Sequence, residues 1–200
     1  MAQETVRLEC PIDAMFLIHN ALRAQAVKVE ELVRCFQTGD SLQMVRLDFV
    51  NWAAALMFHA EQEDQNMMRL LDGYGPAVAG VREHAELEVK LEEVVTVFSD
   101  EIGETQVIAR TQRHLYGAVV ALRIAQDDHL ESEEAFVLPE VRERFDEIKQ
   151  LEMMRCLLID DQAADRRWVL EWMAAMLPSG ECQLLAGFER KCATVAVPGR

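Results

Sequence analysis

The spacing of the apolar residues constrains the fold of this chain more than any other feature of its sequence. From Ile12 onward, apolar side chains recur every three or four residues through long segments, which is the pattern of amphipathic α-helices. Only five prolines and nine glycines occur in 200 residues, so these segments are rarely interrupted. Because 50 % of the residues are apolar, the segments can enclose a sizeable core. The sequence therefore predicts an all-α fold.

Turn-forming residues divide residues 11–140 into four long predicted helices. The predicted segments cover residues 12–36, 42–71, 81–98 and 108–139. Pro11 suits the first turn of the first helix, and Pro139 is expected to end or kink the fourth. Asp40 or Ser41 is expected to cap the second helix, and Thr105 the fourth. Because short connections make neighbouring helices antiparallel, the predicted architecture is an up-down-up-down four-helix bundle.

Residues 141–200 predict shorter helices that form a C-terminal extension packed on the bundle. The predicted segments are 146–158, 162–177 and 180–193, the last capped by Ser179. Three short helices bury too little surface to be stable alone, so we do not expect a second independent domain. A homodimer interface, a lid or a surface for another partner are the alternative roles of this extension.

The charge of the chain excludes several classes of partner. With 20 basic and 35 acidic residues the net charge is −15, which argues against binding to nucleic acid or to an anionic membrane. No apolar run approaches the roughly 18 residues of a membrane span. No basic segment followed by an apolar core precedes Pro11, so a cytoplasmic location is expected.

The five cysteines form no CxxC pair and are interpreted as reduced thiols. We expect them to act mainly as small buried apolar residues. A redox role for Cys156, Cys182 and Cys192 is the alternative.

The histidines carry the most specific functional signal. Each predicted long helix has one histidine within its apolar stripe: His19, His59, His84 and His129. Buried imidazoles need polar partners, so four of them on four core-facing stripes require a common explanation.

Two glutamates extend this pattern. Glu63 follows His59 by four residues and Glu133 follows His129 by four, so each pair shares a helix face. The two segments also repeat each other as His-x-Glu-x-Glu-acid-x-x-apolar-apolar, and a lone stripe histidine precedes each of them by 40 or 45 residues. The chain therefore reads as two helical hairpins in tandem.

A pair of metal ions accounts for these six residues. If an approximate two-fold axis relates the hairpins, four imidazoles and two carboxylates point to one place. Each glutamate can then bridge two ions, and each ion receives two nitrogen and two oxygen donors. This donor set suits iron, manganese or zinc. Six-coordinate ions would keep positions open for water, dioxygen or peroxide.

The order H…HxxxE…H…HxxxE over about residues 11–140 resembles the hemerythrin-like, or HHE cation-binding, proteins. This resemblance implies a four-helix bundle with a non-heme di-iron centre. It makes the four stripe histidines terminal ligands and the two glutamates bridging ligands. Oxygen-carrying members have a second histidine one turn earlier on the third helix, where this chain has Gly80. The resemblance thus favours sensing, storage or stress response over simple reversible oxygen carriage.

Three functions are compatible with the sequence. The leading hypothesis is a di-iron protein that binds dioxygen or a related small ligand. The second is a di-iron enzyme that decomposes peroxide or oxidises iron, and the third is a metal-free helical adaptor. No Glu-x-x-His motif supports a ferritin-like carboxylate site, and no HExxH, P-loop or GxGxxG motif is present.

Other polar residues receive less specific interpretations. Solvated positions are expected for the acids that lie off the apolar stripe: Glu61, Asp64, Glu131 and Glu134. Glu88 is interpreted as a solvated acid or as a neighbour of the ligands. Arg23 pairs with a carboxylate near the site or lies at the surface. His114 precedes His129 by 15 residues, about 22 Å along a helix, and is too distant to be a ligand.

Overall fold

The computed structural model describes residues 6–37, 42–101 and 109–192. These residues are almost entirely helical and contain no β-strand, so the prediction of an all-α fold is confirmed. The four long helices are α1 (Met15–Cys35), α2 (Gln43–Asn66), α3 (Gly75–Thr96) and α4 (Ala109–Ser132). The expected caps Asp40, Ser41 and Thr105 lie outside the described residues.

Short helical turns of other types adjoin the long helices. Two are 3₁₀ turns, at Pro11–Ala14 and Met68–Leu71, and two are π-helical, at Val97–Glu101 and Glu133–Val137. The prediction that the second helix continues to residue 71 was therefore wrong, since α2 ends at Asn66. Gly73 has a φ of 76°, a left-handed conformation that glycine adopts without strain, and it turns the chain into α3.

Pro139 does not end the helical path of the chain. The π-helical turn precedes it, with the Leu138 amide donating to the carbonyl oxygen of Glu133, five residues back. Helix α5 (Leu138–Arg144) then begins, with Pro139 in its first turn. The missing amide hydrogen of proline removes no helical bond at that position. The irregularity expected at Pro139 thus lies earlier in the chain, in the turn Glu133–Val137.

The C-terminal extension contains α6 (Glu147–Leu158), α7 (Trp168–Met176) and α8 (Ser179–Cys192). Asp146 caps α6 by accepting the amide of Lys149 at 2.8 Å. The expectation that a helix starts at residue 162 was wrong. Asp160 accepts the amides of Gln162 and Ala163, which holds that segment in a turn.

Each of the four long helices packs against two of the others. Helix α1 contacts α2 and α4, and α3 contacts the same two helices. Near the start of α4, the Gln112 amide donates to the carbonyl oxygens of Val33 and Phe36, at the end of α1. Near the start of α2, Arg46 donates to the carbonyl oxygen of Phe98, just after α3. The start of each of these helices thus lies beside the end of its neighbour.

The C-terminal helices pack on the long ones and share one apolar core with them. Helix α6 contacts α2 and the turn Pro11–Ala14, and α7 contacts α1. The Trp172 indole donates to Gln25 at 3.3 Å, and the Asn20 amide to Glu181 at 3.2 Å. Residues beyond 140 therefore cover the outer faces of α1 and α2.

Replacement of Asp13 by alanine is expected to destabilise the fold. Asp13 is buried and accepts the backbone amides of Glu9 at 2.7 Å and Cys10 at 3.0 Å. It also pairs with Arg142 of α5. Loss of these partners is expected to lower the free energy of unfolding by about 2–4 kcal/mol in urea titrations. Glu9→Ala is the control, since Asp13 uses the backbone of Glu9 and not its side chain. A loss below about 0.5 kcal/mol, typical of a surface position, would contradict this role.

Candidate metal centre

All six predicted ligands come together in the interior. Helix α1 contributes His19, α2 contributes His59 and Glu63, α3 contributes His84, α4 contributes His129, and Glu133 opens the π-helical turn. Each is exposed by 5 % or less. Burial of six ionisable side chains in an apolar core is unfavourable unless they share a charged partner.

The six side chains form two overlapping groups that share both glutamates. One contains His19, His59, Glu63 and Glu133, and the other contains Glu63, His84, His129 and Glu133. In each group, one nitrogen or oxygen from every residue lies within 4.8 Å of the others. This is the arrangement expected for two neighbouring cations with shared carboxylates.

The two oxygens of Glu63 face different histidines. Oε1 lies 3.3 Å from Nε2 of His59, and Oε2 lies 3.3 Å from Nε2 of His84. Two ligands of one ion, each about 2.1 Å from it, lie roughly 2.9–3.4 Å apart. The measured distances therefore fit an ion between Glu63 and each of these imidazoles.

Glu133 divides its oxygens in the same way. Oε2 lies 3.6 Å from Nε2 of His19, and Oε1 lies 3.5 Å from Nε2 of His129. Oε1 is also 4.0 Å from Nε2 of His84. Both glutamates thus direct one oxygen to each group.

None of these inward-facing atoms has a hydrogen-bond partner among the described residues. The unpaired atoms are Nε2 of the four histidines and both carboxylate oxygens of Glu63 and Glu133. An unpaired buried polar group costs about 1–3 kcal/mol, and this site has eight of them within one small volume. Lone pairs on nitrogen and oxygen are satisfied together by cations, so the residues present fit a metal centre.

Burial also sets the protonation of the ligands. It raises the pKa of Glu63 and Glu133 well above the ordinary value. It lowers the pKa of His19 and His59, and that of His129 to about 3. Burial thus favours the neutral, ligating form of His19, His59 and His129, and it favours the protonated form of the two carboxyl groups, which would release protons to a binding cation.

A second layer of carboxylates orients three of the four imidazoles. Nδ1 of His19 lies 2.8 Å from Glu134, and Nδ1 of His84 lies 2.8 Å from Asp64. Nδ1 of His129 lies 3.0 Å from Glu83. A carboxylate accepts the Nδ1 hydrogen, which leaves the Nε2 lone pair directed at the site. Nδ1 of His59 has no such partner among the described residues.

The interpretation of Asp64 and Glu134 as solvated acids was wrong. Asp64 directly follows Glu63, and Glu134 directly follows Glu133. Each contacts the lone histidine of the other hairpin: Asp64 contacts His84 on α3, and Glu134 contacts His19 on α1. The acidic position after Glu63 and Glu133 is part of the internal repeat. That repeated acid was the available signal for these two residues.

Glu134 also pairs with Arg23 at 2.7 Å, which settles the partner of that arginine. Partial burial by itself raises the pKa of Glu134, but the hydrogen bonds from His19 and Arg23 outweigh it and lower the pKa to about 2. The carboxylate is thus held in its charged form beside His19. Glu88 and His114 are exposed.

Glu134→Gln is expected to weaken metal binding without removing a ligand. The amide has no negative charge to hold the Nδ1 hydrogen of His19, so the imidazole becomes a weaker and less ordered donor. Loss of such a partner lowers metal affinity by about 10- to 100-fold. Competition with a metal-binding dye measures this change. Exposed Glu131, on the same helical path, provides the control Glu131→Gln, and equal affinities in the two variants would contradict the orienting role.

Gly80 lies one turn before His84 and is buried. A Cβ atom at this position would lie 3.2 Å from the terminal methyl of Met68. A side chain at position 80 would therefore require the end of Met68 to shift by a few tenths of an ångström.

Neither group of candidate ligands contains a cysteine. All five cysteines are free thiols, and Cys192 is the one that is buried. Burial raises the pKa of Cys192 to about 11, which makes it a poor nucleophile. The expectation that the cysteines are buried apolar residues thus holds for Cys192 and fails for exposed Cys35.

Among the described helices, none has the length and apolar character needed to cross a membrane.

Comparison of the chain with protein-family models, with curated proteins and with solved structures found no match.

Proposed function

We propose that this protein is a hemerythrin-like di-iron protein that binds dioxygen or a related small ligand, in a role of sensing, storage or stress response. In this proposal the long helices form an up-down-up-down bundle, which the contacts between the ends of α1 and α4 and of α2 and α3 support. Manganese or zinc are the alternative metals, because they accept the same donors.

The observation that carries the proposal is the division of carboxylate oxygens between two groups of histidines. Glu63 contacts His59 with one oxygen and His84 with the other. Glu133 likewise directs one oxygen to His19 and the other to His129. A single cation would not explain why each carboxylate directs one oxygen to each of two separate pairs of imidazoles. A metal-free adaptor would leave these buried atoms without partners.

The residues of the site have separate roles in this function. The four imidazoles and two carboxylates hold the metal pair, and Asp64, Glu83 and Glu134 keep three imidazoles in the ligating tautomer. A bound iron pair supplies redox electrons and open coordination positions for a small ligand. Burial of the ligands excludes bulk water and restricts entry to small molecules.

Gly80 supports a second candidate function at the same site. With no ligand from this position, each group of described residues would offer an ion two histidines and two glutamates as donors. A six-coordinate ion then keeps exchangeable positions, as an enzyme that decomposes peroxide or oxidises iron requires. Steady peroxide consumption by the iron-loaded protein, lost in His84→Ala, would favour this enzyme over a binding protein.

Ligand binding is tested by visible absorption spectra. Protein loaded with ferrous iron without air is expected to develop a charge-transfer band when dioxygen is admitted, and the iron oxidised in this way is expected to give a further band when azide is added. Glu88→Ala, an exposed acid on the helix of His84, should give the same band, and His84→Ala should lose it. An iron-loaded protein whose spectrum does not change with either ligand would contradict the proposal.

A further inference from the structure

Gln126 presents an unpaired amide inside the protein, close to the metal ligands. Its side chain is fully buried, and its Oε1 accepts the indole hydrogen of Trp52 at 2.6 Å. An indole nitrogen only donates, so the oxygen of this amide must face Trp52. The amide nitrogen, Nε2, therefore points elsewhere, and it has no hydrogen-bond partner among the described residues.

The position of Gln126 on α4 places this donor beside the site. It precedes His129 by three residues and Glu133 by seven, so the three side chains share one face of the helical path. Three residues correspond to about 4.5 Å along a helix axis. Trp52 precedes His59 on α2 by seven residues. The hydrogen bond between Trp52 and Gln126 thus joins two ligand-bearing helices in the layer next to the ligands.

We propose that Nε2 of Gln126 donates a hydrogen bond to the small ligand that enters the metal site, and that Trp52 fixes the amide in the orientation this requires. An acceptor is needed because a buried donor without one is unfavourable. Dioxygen-like and anionic ligands such as azide offer an acceptor atom, whereas the protein offers none in the described residues. The inference rests on the proposed function, since the ligand must be held by the metal pair.

Azide affinity of the iron-loaded protein tests this role. Gln126→Leu is expected to keep the iron content of the wild type and to bind azide about tenfold more weakly or worse, the loss typical of a hydrogen bond to a charged acceptor. Gln150→Leu is the matched control. Gln150 is also buried, but its amide is paired with the Phe145 carbonyl oxygen and the Ile12 amide, away from the ligands.

A double variant guards against an effect of misfolding. Gln126→Leu leaves the indole of Trp52 without an acceptor, so Trp52→Phe/Gln126→Leu removes both partners and is expected to fold with less loss of stability. It should bind iron normally and azide as weakly as the single variant. The infrared stretching frequency of bound azide should shift in both variants and stay unchanged in Gln150→Leu.

The outcomes separate this inference from the proposed function. Wild-type affinity for azide in both iron-loaded variants would overturn the role of Gln126 and leave the di-iron site intact. Loss of iron from Gln126→Leu would also overturn it, because the glutamine would then be needed to retain metal. A wild-type protein that takes up no iron or binds no azide would overturn the proposed function itself, and this inference with it.

Discussion

Glu133→Ala is expected to abolish binding of both metal ions. Its oxygens face His19 in one group and His129 in the other, and Oε1 also lies 4.0 Å from Nε2 of His84. Removal of the carboxylate would therefore take one oxygen donor from each ion, together with the single negative charge that both would share. Metal analysis after anaerobic loading and desalting is expected to fall from two ions per chain to nearly none.

Glu88→Ala is the control for this substitution. Glu88 follows His84 by four residues, the same spacing as Glu133 after His129, but its side chain is exposed. A full complement of metal is therefore expected in Glu88→Ala. Retention of two ions in a folded Glu133→Ala protein, with helix content verified by circular dichroism, would show that Glu133 is not a ligand.

A glutamine at position 133 separates ligation from packing. Burial raises the pKa of Glu133 well above the ordinary value, which favours the neutral carboxyl group in the metal-free protein. Glutamine has nearly the same shape and is also neutral. Glu133→Gln should therefore change the stability of the metal-free protein little while it removes metal binding.

Removal of metal from the wild-type protein is expected to lower the unfolding temperature by about 8–16 °C. A ligand present at 1,000 times its dissociation constant stabilises the folded state by about 4.1 kcal/mol. For a chain of this size each kcal/mol corresponds to roughly 2–4 °C. Thermal unfolding with ferrous iron and with a chelator, both without air, measures the difference. Equal unfolding temperatures in the two conditions would contradict a buried metal centre.

The stabilisation by metal should grow as the pH rises. Burial raises the pKa values of Glu63 and Glu133. A metal ion must displace the protons of these carboxyl groups, so metal binding is weaker at lower pH. The metal-free fold itself loses stability as the pH rises above the ordinary glutamate value, because its unfolded chain holds fewer protons. The loss of stability of the metal-free fold and the release of protons on binding are one effect, so the gap between the metal-bound and metal-free proteins should widen from about pH 6 to about pH 7.5. In Glu133→Ala the chelator should change nothing at either pH.

Periodicity was sufficient to place the six proposed ligands because each lies on the inward stripe of its own helix. His59 and Glu63, or His129 and Glu133, need only one helical turn to share a face. The repeat of the two segments then indicated that both pairs serve one place. The rotation of neighbouring helices need not be known for this placement.

The surrounding carboxylates could not be predicted in the same way. Asp64, Glu83 and Glu134 lie on the flanks of their helices, and each contacts a histidine on a neighbouring helix. A helical wheel shows which face is apolar, but it does not show which neighbour covers the flank. The hydrogen bond between Trp52 and Gln126 is hidden for the same reason, since its partners are 74 residues apart.

Helix boundaries depended on local hydrogen bonds that compete with the apolar pattern. After Asp160 the chain forms a loop, closed by the Asp160 amide that donates to the carbonyl oxygen of Arg166 at 3.1 Å, so α7 starts at Trp168 and not at residue 162. Glu133 lies in a π-helical turn that the sequence did not indicate. Such turns often occur at functional sites, and this one carries a proposed bridging ligand.

The metal content of the wild-type chain is the most direct test of this account. Protein loaded with ferrous iron in the absence of air, desalted and measured by elemental analysis is expected to contain two metal ions per chain. Fewer than one ion per chain, in protein whose helix content is intact, would contradict a di-iron centre formed by His19, His59, Glu63, His84, His129 and Glu133.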